Sequence, residues 1–475
     1  MQLQAYSAAL LALFSLASTA PAQSVVAERE TTPITAADLF GRASMPNTAA
    51  ATFPDGSVVI ARASVSGDPL FEVFLPPPIS GSPTEVERFL IQIPLDVVLP
   101  PFPTRPAVVG FHFFGVSEAS VFNQTLPQLC QQKGWYLIAP LGFNQVNFGN
   151  RESQDGLDAI FDWVEQFVDL DDQRLYGVGF SMGGLNALSY AWRHQNPSGR
   201  RFAAVASLLG TVDPVFDFEN GTPMLQSLLA NPLVFGGTPD EEPFNYARIS
   251  PARLSPTQTI DDLEAPVNNL LDTRVYLGIN LTDPTTDLLT QNFALSNYLQ
   301  SKGFQVTVDA FSGVPVHAWS SFDQVPVIDF FDGSVVPGPE PIGGPPLDLY
   351  LDREDVVRFT EIREIEPETV ARFRVTLGAS GSNSFALEAL RGVGELVVDA
   401  SAIGIDPAQP LTFSSFGENP ATPGTRIVLP GYPLPPAQVT VNGVAPAFTS
   451  HDAATGELTV QPRFDSVFSV TTIIP

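Results

Sequence analysis

The sequence predicts an α/β fold with a central, mostly parallel sheet and helices on both faces, followed by a small all-β domain. Between residues 106 and 311, continuous apolar runs alternate with stretches of helical periodicity, which is typical of a parallel sheet whose strands are buried on both faces. Beyond residue 347 that periodicity largely stops, and short strand-like runs are separated by turn residues. The length of 475 residues and an apolar fraction of 44% are sufficient for two such domains.

The elements of the α/β region follow one another in a regular order. After two earlier strands at 71–75 and 89–93, the apolar runs predict strands at 107–111, 135–139, 175–179, 202–209, 274–278 and 304–311. Helical spacing predicts helices ending at Lys133, around 157–167, and over 182–193 and 288–302, with Gly134 as a C-terminal cap. In such a sheet, ligands bind at the carboxyl ends of the strands. Candidate functional residues should therefore follow directly after strands.

The C-terminal region is predicted to be a β-sandwich. Its short strand-like runs are 372–377, 395–398, 426–429, 438–441 and 457–460. The dipeptides Asn442-Gly443 and Thr455-Gly456 are turn signals beside these runs.

Two segments of biased composition complete the domain organisation. An apolar run over 8–17 is followed by Ala20-Pro21-Ala22, which is typical of an export signal and its cleavage site. The segment VPGPEPIGGPP is typical of a linker. We therefore expect a signal peptide at 1–22, an α/β catalytic domain at 23–335, a linker at 336–346 and a β-rich domain at 347–475. The protein should be secreted, periplasmic or on the cell surface.

Charge and residue usage narrow the range of partners. The net charge of −28, with Lys133 and Lys302 as the two lysines, disfavours nucleic acid as a partner because the surface repels phosphate. After the signal, no uncharged apolar run is long enough to predict a membrane span. The single Cys130 cannot form an internal disulfide. Scattered histidines without H-E-x-x-H or C-x-x-C patterns predict neither a metal nor a cofactor, although calcium on acidic loops stays open.

The most informative motif is Gly179-Phe180-Ser181-Met182-Gly183-Gly184, which has the form G-x-S-x-G between an apolar strand and an amphipathic helix. A serine at such a tight strand-to-helix turn projects its hydroxyl from the sheet edge, and the flanking glycines leave the room that this turn needs. The helix that follows points its N-terminus at any developing oxyanion. Ser181 is the predicted nucleophile.

A serine hydroxyl needs an adjacent base, and the chain offers four histidines. A rise of about 1.5 Å per residue carries His194 to the far end of the helix that begins at Ser181. His112 ends a strand where an oxyanion loop belongs, and His451 lies in the β-rich domain. His317 follows the last strand of the α/β region at its carboxyl end, and is the predicted base.

The third group should be an acid that orients the histidine and follows the preceding strand. Asp283 and Asp287 both lie in the segment after 274–278. Asp283 is favoured because it is closer to the strand, and Asp287 stays as the alternative. Either residue could instead cap the helix that begins near Leu288, and Asp287 fits that role better.

The oxyanion of a tetrahedral intermediate needs two backbone donors. One should be the N–H of Met182, the residue after the nucleophile. The other should come from the loop His112-Phe113-Phe114-Gly115, where the Phe114 N–H is favoured and the Phe113 N–H is the alternative.

The run from Asp171 to Gly184, DDQRLYGVGFSMGG, resembles the α/β-hydrolase superfamily over about residues 100–330. It is similar to secreted feruloyl and acetylxylan esterases, polyhydroxyalkanoate depolymerases and prolyl-oligopeptidase-like hydrolases, and the histidine motif His317-Ala318-Trp319 resembles that of the depolymerase-type esterases. The resemblance implies a triad of Ser181, Asp283 and His317. Phe113 and Val316 stand where these families usually have glycine.

The sequence therefore predicts a serine esterase that forms an acyl-enzyme intermediate on an ester substrate, with polymeric esters among the candidates. A prolyl-oligopeptidase-like serine peptidase is one alternative. A non-catalytic surface or polymer-binding protein on a hydrolase scaffold is the other. The long segment 211–273, called the insert below, is either a lid over the site or a solvated surface excursion.

Overall fold

The structure is a computed structural model that describes residues 50–95, 103–336, 346–378, 382–417, 425–446, 448–462 and 468–475. The predicted signal peptide at 1–22 and most of the predicted linker at 336–346 lie outside these residues. The described residues form one ten-stranded sheet and two six-stranded sheets.

The ten-stranded sheet has the order β1-β2-β3-β4-β6-β5-β7-β8-β9-β10. The strands are β1 (Ala50–Thr52), β2 (Val58–Arg62), β3 (Leu70–Leu75), β4 (Glu87–Gln92), β5 (Arg105–Phe111), β6 (Tyr136–Pro140), β7 (Leu170–Phe180), β8 (Phe202–Leu208), β9 (Arg274–Asn280) and β10 (Val306–Phe311). Strands β5 to β10 pair in parallel, while β1 to β4 form an antiparallel meander that joins the sheet at β6. The carboxyl ends of the six parallel strands therefore share one edge.

Helices connect these strands and cover both faces of the sheet. They are α1 (Leu126–Lys133), α2 (Arg151–Val164), α3 (Met182–Arg193), α4 (Pro214–Asn220), α5 (Pro223–Leu229), α6 (Pro243–Ala247), α7 (Thr286–Lys302) and α8 (Val325–Phe331). Val109 of β5 belongs to a core cluster with α2, α3 and α7, whereas its neighbour Val108 belongs to a cluster with α1 and α8. Alternate residues of a strand point to opposite faces, so the sheet is sandwiched between two helical layers. This arrangement confirms the predicted α/β class.

The C-terminal residues form two β-sheets that pack face to face. One has the order β11-β14-β15-β17-β22-β19 and the other β12-β13-β16-β18-β21-β20. The strands are β11 (Leu347–Leu351), β12 (Asp355–Val357), β13 (Thr360–Ile365), β14 (Ala371–Leu377), β15 (Ser384–Arg391), β16 (Val393–Val398), β17 (Leu411–Gly417), β18 (Arg426–Leu429), β19 (Gln438–Val441), β20 (Phe448–Asp452), β21 (Glu457–Gln461) and β22 (Phe468–Ile474). Buried side chains of both sheets, such as Phe373 and Leu396, form one core cluster. The region is the sandwich that the sequence predicts.

The insert contains three short α-helices that share a small apolar core with α3. Its helices α4, α5 and α6 contribute Val215, Leu229 and Tyr246 to a cluster that also contains Met182 and Leu185 of α3. The insert therefore packs on the first turn of the helix that follows Ser181.

No helix among the described residues is long and apolar enough to cross a bilayer. The same residues contain no group of three or more His, Cys, Asp or Glu side chains placed to hold a metal ion.

Candidate active site

Ser181 lies at the tight turn between β7 and α3, called the elbow below (residues 179–184). Its backbone has φ 55° and ψ −122°, a conformation that a non-glycine residue keeps only where the surrounding structure enforces it. A Cβ at Gly179 would lie 2.1 Å from the carbonyl oxygen of Gly183, and a Cβ at Gly183 would lie 2.2 Å from that of Phe111. Only glycine fits at these two positions, which explains the spacing of the motif.

The hydroxyl of Ser181 meets a histidine and an aspartate from two later loops. Nε2 of His317 lies 2.9 Å from Ser181 Oγ, and Nδ1 lies 3.1 Å from Oδ2 and 3.2 Å from Oδ1 of Asp283. Because a carboxylate only accepts hydrogen bonds, the ring proton belongs on Nδ1, and Nε2 then accepts from the serine O–H. The structure thus brings together the three side chains that the sequence predicts as nucleophile, base and acid.

The two candidate acids have very different surroundings. The side chain of Asp283 is 0% exposed, and its Oδ1 also accepts the backbone N–H of Thr285 at 2.9 Å. Asp287 is exposed in the first turn of α7, whose N-cap is Thr285. Of the two, Asp283 is the one that contacts His317, and neither is the N-cap of α7.

The remaining histidines have other partners. His194 lies at the C-terminal end of α3, where its Nε2 is 3.2 Å from Oδ2 of Asp158. His451, in the sandwich, places Nε2 2.7 Å from the carbonyl oxygen of Tyr432. Among the described histidines, His317 is the one hydrogen-bonded to Ser181.

The loop after β5, residues 112–115, lies against the elbow, because Gly183 packs on the carbonyl oxygens of Phe111 and His112. His112 is buried, and burial lowers its pKa. Its Nε2 lies 2.8 Å from the Leu141 carbonyl oxygen and its Nδ1 3.0 Å from that of Phe113. This loop is therefore anchored where a second oxyanion donor would be needed.

The N–H of Met182, the first oxyanion donor predicted from the sequence, lies at the start of α3. Met182 is the first residue of α3, and the first N–H groups of a helix have no acceptor within it. Phe113 and Phe114, the two predicted sources of the second donor, both lie in the 112–115 loop. The oxyanion-binding roles of Met182, Phe113 and Phe114 stay predictions.

Two contributors to this geometry were missed from the sequence. The centre of the Phe180 ring lies 4.5 Å from the centre of the His317 imidazole and 5.6 Å from that of the Phe113 ring. Asn280, buried at the carboxyl end of β9, accepts the Gly313 N–H at 3.0 Å and donates to the Val314 carbonyl oxygen at 2.9 Å. Asn280 therefore ties the acid segment to the histidine loop. A polar residue at the end of a parallel strand is the signal that could have identified it.

The ordered sheet, the strained elbow and the two loops that meet at it occur together in one fold. The described residues between 50 and 336 have the α/β-hydrolase fold. The serine follows β7, the acid follows β9 and the histidine follows β10, which is the chain order expected for that fold.

No protein-family profile matches the chain, and no curated protein sequence matches it. Solved structures do match. The serine hydrolase FphF of Staphylococcus aureus, described as fluorophosphonate-binding, is 14% identical, with a TM-score of 0.41 over 55% of this chain and 97% of that chain. An S-formylglutathione hydrolase from Agrobacterium tumefaciens is 12% identical, with a TM-score of 0.43 over 58% and 99%. The acylaminoacyl peptidase of Pyrococcus horikoshii is 15% identical, with a TM-score of 0.40 over 62% and 56%. These values are too low to indicate an activity.

Proposed function

We propose that the protein is a serine hydrolase that cleaves carboxylic esters, with Ser181 as nucleophile, His317 as base and Asp283 as acid. The observation that carries the proposal is the contact of 2.9 Å between Ser181 Oγ and His317 Nε2, with Asp283 behind the imidazole. A hydroxyl with an oriented base becomes a nucleophile at neutral pH. The partial exposure of His317, 28% of its side chain, leaves the reacting atoms open to a substrate.

The reaction that this geometry supports has two stages. Ser181 Oγ attacks the ester carbonyl carbon while its proton passes to His317 Nε2, which then protonates the departing alkoxide. Water next attacks the acyl-enzyme, gives a proton to the same nitrogen and releases the acid, so that the serine regains its proton. Asp283 stabilises the imidazolium in both stages, and the N–H groups of Met182 and Phe114 would bind the oxyanion.

Hydrolysis of p-nitrophenyl acetate and butyrate tests the proposal. The wild-type protein should hydrolyse both, and Ser181→Ala should reduce the rate to that of the uncatalysed reaction. Ser198→Ala is a matched control, because Ser198 is an exposed serine beyond the end of α3. A wild-type rate no higher than that of Ser181→Ala would exclude the esterase.

The same measurement separates an esterase from a peptidase when it includes the p-nitroanilide of butyric acid. We expect kcat/KM for the ester to exceed that for the anilide. The reverse order would assign the site to amide hydrolysis.

We also propose that the protein is exported, with 1–22 removed. The support is the pattern of an apolar run followed by Ala20-Pro21-Ala22. N-terminal sequencing of the protein recovered from its native compartment should begin at Gln23. A mature chain that still begins at Met1 would contradict this.

A further inference from the structure

The sandwich contacts the end of α3 that lies farthest from Ser181. Asn269, just before β9, donates from Nδ2 to the carbonyl oxygens of Trp192 and Tyr350 at 2.9 and 2.6 Å. Its Oδ1 accepts the Tyr350 N–H at 2.9 Å. The side chain of Tyr350 belongs to the core cluster of the α/β region, although the residue lies in β11 of the sandwich. Strand β11 is therefore fixed to the C-terminal end of the nucleophile helix.

Asp352, directly after β11, is buried between two arginines of the α/β region. Its Oδ2 accepts a hydrogen bond from Nε of Arg193 at 3.0 Å and forms an ion pair with Nη2 of the same guanidinium at 2.8 Å. The same oxygen accepts a hydrogen bond from Nε of Arg248 at 3.0 Å and forms an ion pair with its Nη2 at 2.9 Å. The side chains of Asp352 and Arg193 are each 1% exposed, and that of Arg248 is 7% exposed. Arg193 is the last residue of α3, and Arg248 follows α6 of the insert.

The charges of this cluster depend on one another. Burial raises the pKa of Asp352, but the charges of the Arg193 and Arg248 guanidiniums have the larger effect and bring the pKa down to about 2. Burial and the charge of Arg193 lower the pKa of Arg248 to about 10, against the opposing effect of Asp352. Without the carboxylate, two buried positive charges would face each other, which is strongly unfavourable.

Arg193 also links this cluster to the loop after β6. Its Nη1 donates to Oε1 of Gln154, and Nε2 of Gln154 donates to the carbonyl oxygen of Gly149 at 2.9 Å. The N–H of Gly149 in turn donates to Oδ1 of Asn147 at 3.0 Å. All these side chains are buried.

From Asn147 the network reaches the 112–115 loop. Asn147 Nδ2 donates to the Leu141 carbonyl oxygen at 2.9 Å, which lies 2.8 Å from Nε2 of His112. The N–H of Gly115 donates to the carbonyl oxygen of Gln145 at 2.9 Å. The loop of residues 141–150 thus contacts the 112–115 loop at two points, and one buried polar chain runs from Asp352 to His112, next to Phe113 and Phe114 in sequence.

We propose that Asp352 is a positioning residue for the hydrolase site: the sandwich supplies the counter-charge that holds Arg193 against Gln154, and this contact keeps the loops 141–150 and 112–115 in place. The effect on turnover rests on the proposed function. The placement of the loops does not.

Three full-length variants separate positioning from simple stabilisation. Asp352→Asn removes the carboxylate. A triple variant, Arg193→Met with Arg248→Met and Asp352→Leu, replaces the whole ion cluster by apolar side chains, a change that often preserves or raises stability. Asp272→Asn is the matched control, because it removes the 2.7 Å ion pair with Arg358 at the same interface without touching the chain to the oxyanion loop.

Tm, kcat and KM for p-nitrophenyl butyrate should be measured for each variant. We expect Asp352→Asn to lower kcat about tenfold with KM within about twofold. The triple variant should recover Tm but not kcat, because a methionine in place of Arg193 cannot donate to Gln154. Asp272→Asn should keep the wild-type kcat. Recovery of kcat together with Tm in the triple variant, or an equal loss of kcat in Asp272→Asn, would overturn the proposal.

Hydrogen–deuterium exchange gives a readout that does not depend on ester hydrolysis. Peptides that cover residues 112–116 and 141–150 should exchange faster in Asp352→Asn and in the triple variant than in the wild type and in Asp272→Asn. Unchanged exchange would overturn the positioning role even if the protein hydrolyses esters. If the exchange is faster but the wild-type protein hydrolyses no esters, the proposed function is wrong and the positioning role stands.

Discussion

Replacing Asp283 by asparagine tests the acid of the site, and the structure dictates what the amide would do. Oδ1 of Asp283 accepts the Thr285 N–H at 2.9 Å, so the amide of the new side chain would keep its oxygen on that donor. Its NH2 group would then face Nδ1 of His317. Because an amide NH2 only donates, Nδ1 would have to lose its proton and accept a hydrogen bond from the NH2 group. The proton would move to Nε2, and the imidazole could no longer accept the proton of Ser181.

The wrong tautomer in a serine triad lowers kcat by about 10⁴, which corresponds to about 5.5 kcal/mol of transition-state stabilisation. We expect that loss for Asp283→Asn, measured with p-nitrophenyl butyrate at a temperature well below its Tm. Asp287→Asn is the matched control, because Asp287 is exposed on the same segment, and its kcat should stay within about twofold of the wild type. If Asp283→Asn kept more than a tenth of the wild-type kcat, or Asp287→Asn lost as much, the assignment of the acid would be wrong.

Two further predictions concern the elbow and the pH dependence of stability. In Gly183→Ala the new Cβ would lie 2.2 Å from the Phe111 carbonyl oxygen, so the rate of ester hydrolysis should fall at least about 100-fold. Gly199→Ala is the control, because the nearest atom to its new Cβ would be 3.4 Å away, and it should retain activity. Equal rates in the two variants would contradict the packing argument. Burial raises the pKa of Asp217 to about 7 and of Glu87 to about 8. These carboxyls hold their protons more tightly in the folded state, so the stability they contribute is complete below about pH 4 and is lost as the pH rises through 7 to 8. Thermal melts should show Tm falling between about pH 4 and pH 8, and falling less steeply in Asp217→Asn. Parallel curves of Tm against pH for the wild type and Asp217→Asn would refute the prediction.

The central elements of the α/β region were predictable because each has a local signal. Helix α3 runs over Met182–Arg193, the bounds that the sequence predicts, because the glycines of the elbow and an apolar face mark it. Gly134 ends α1 with φ 67°, the left-handed conformation expected of a C-terminal glycine cap. The order of serine, acid and histidine also follows from the alternation of strands and helices.

Strand β15 of the sandwich was missed because its composition conflicts with its environment. Strand β15, SFALEALR, is rich in helix-forming residues, yet pairing with β14 and β17 makes it a strand. Tertiary pairing overrides such a local preference.

The short helices of the insert carried a signal that periodicity does not detect. Helices α4 and α5 begin with Asp213-Pro214 and Thr222-Pro223, and each N-cap side chain accepts a backbone N–H of the first turn. A capping residue followed by proline predicts a helix start even in a short segment.

The buried ion cluster could not be predicted from the sequence in any comparable way. Asp352 lies 159 residues from Arg193 and 104 from Arg248 in the chain, and no local pattern marks any of them as buried. Long-range contacts of this kind depend on how the sandwich packs on the α/β region.

The central claim is that Ser181 is activated by His317, and covalent labelling with a fluorophosphonate tests it most directly. The serine oxygen should displace fluoride from phosphorus, and mass spectrometry of peptides should place the adduct on Ser181. Labelling should be absent in Ser181→Ala and strongly reduced in His317→Ala. An adduct on another residue, or wild-type labelling rates in His317→Ala, would contradict the account.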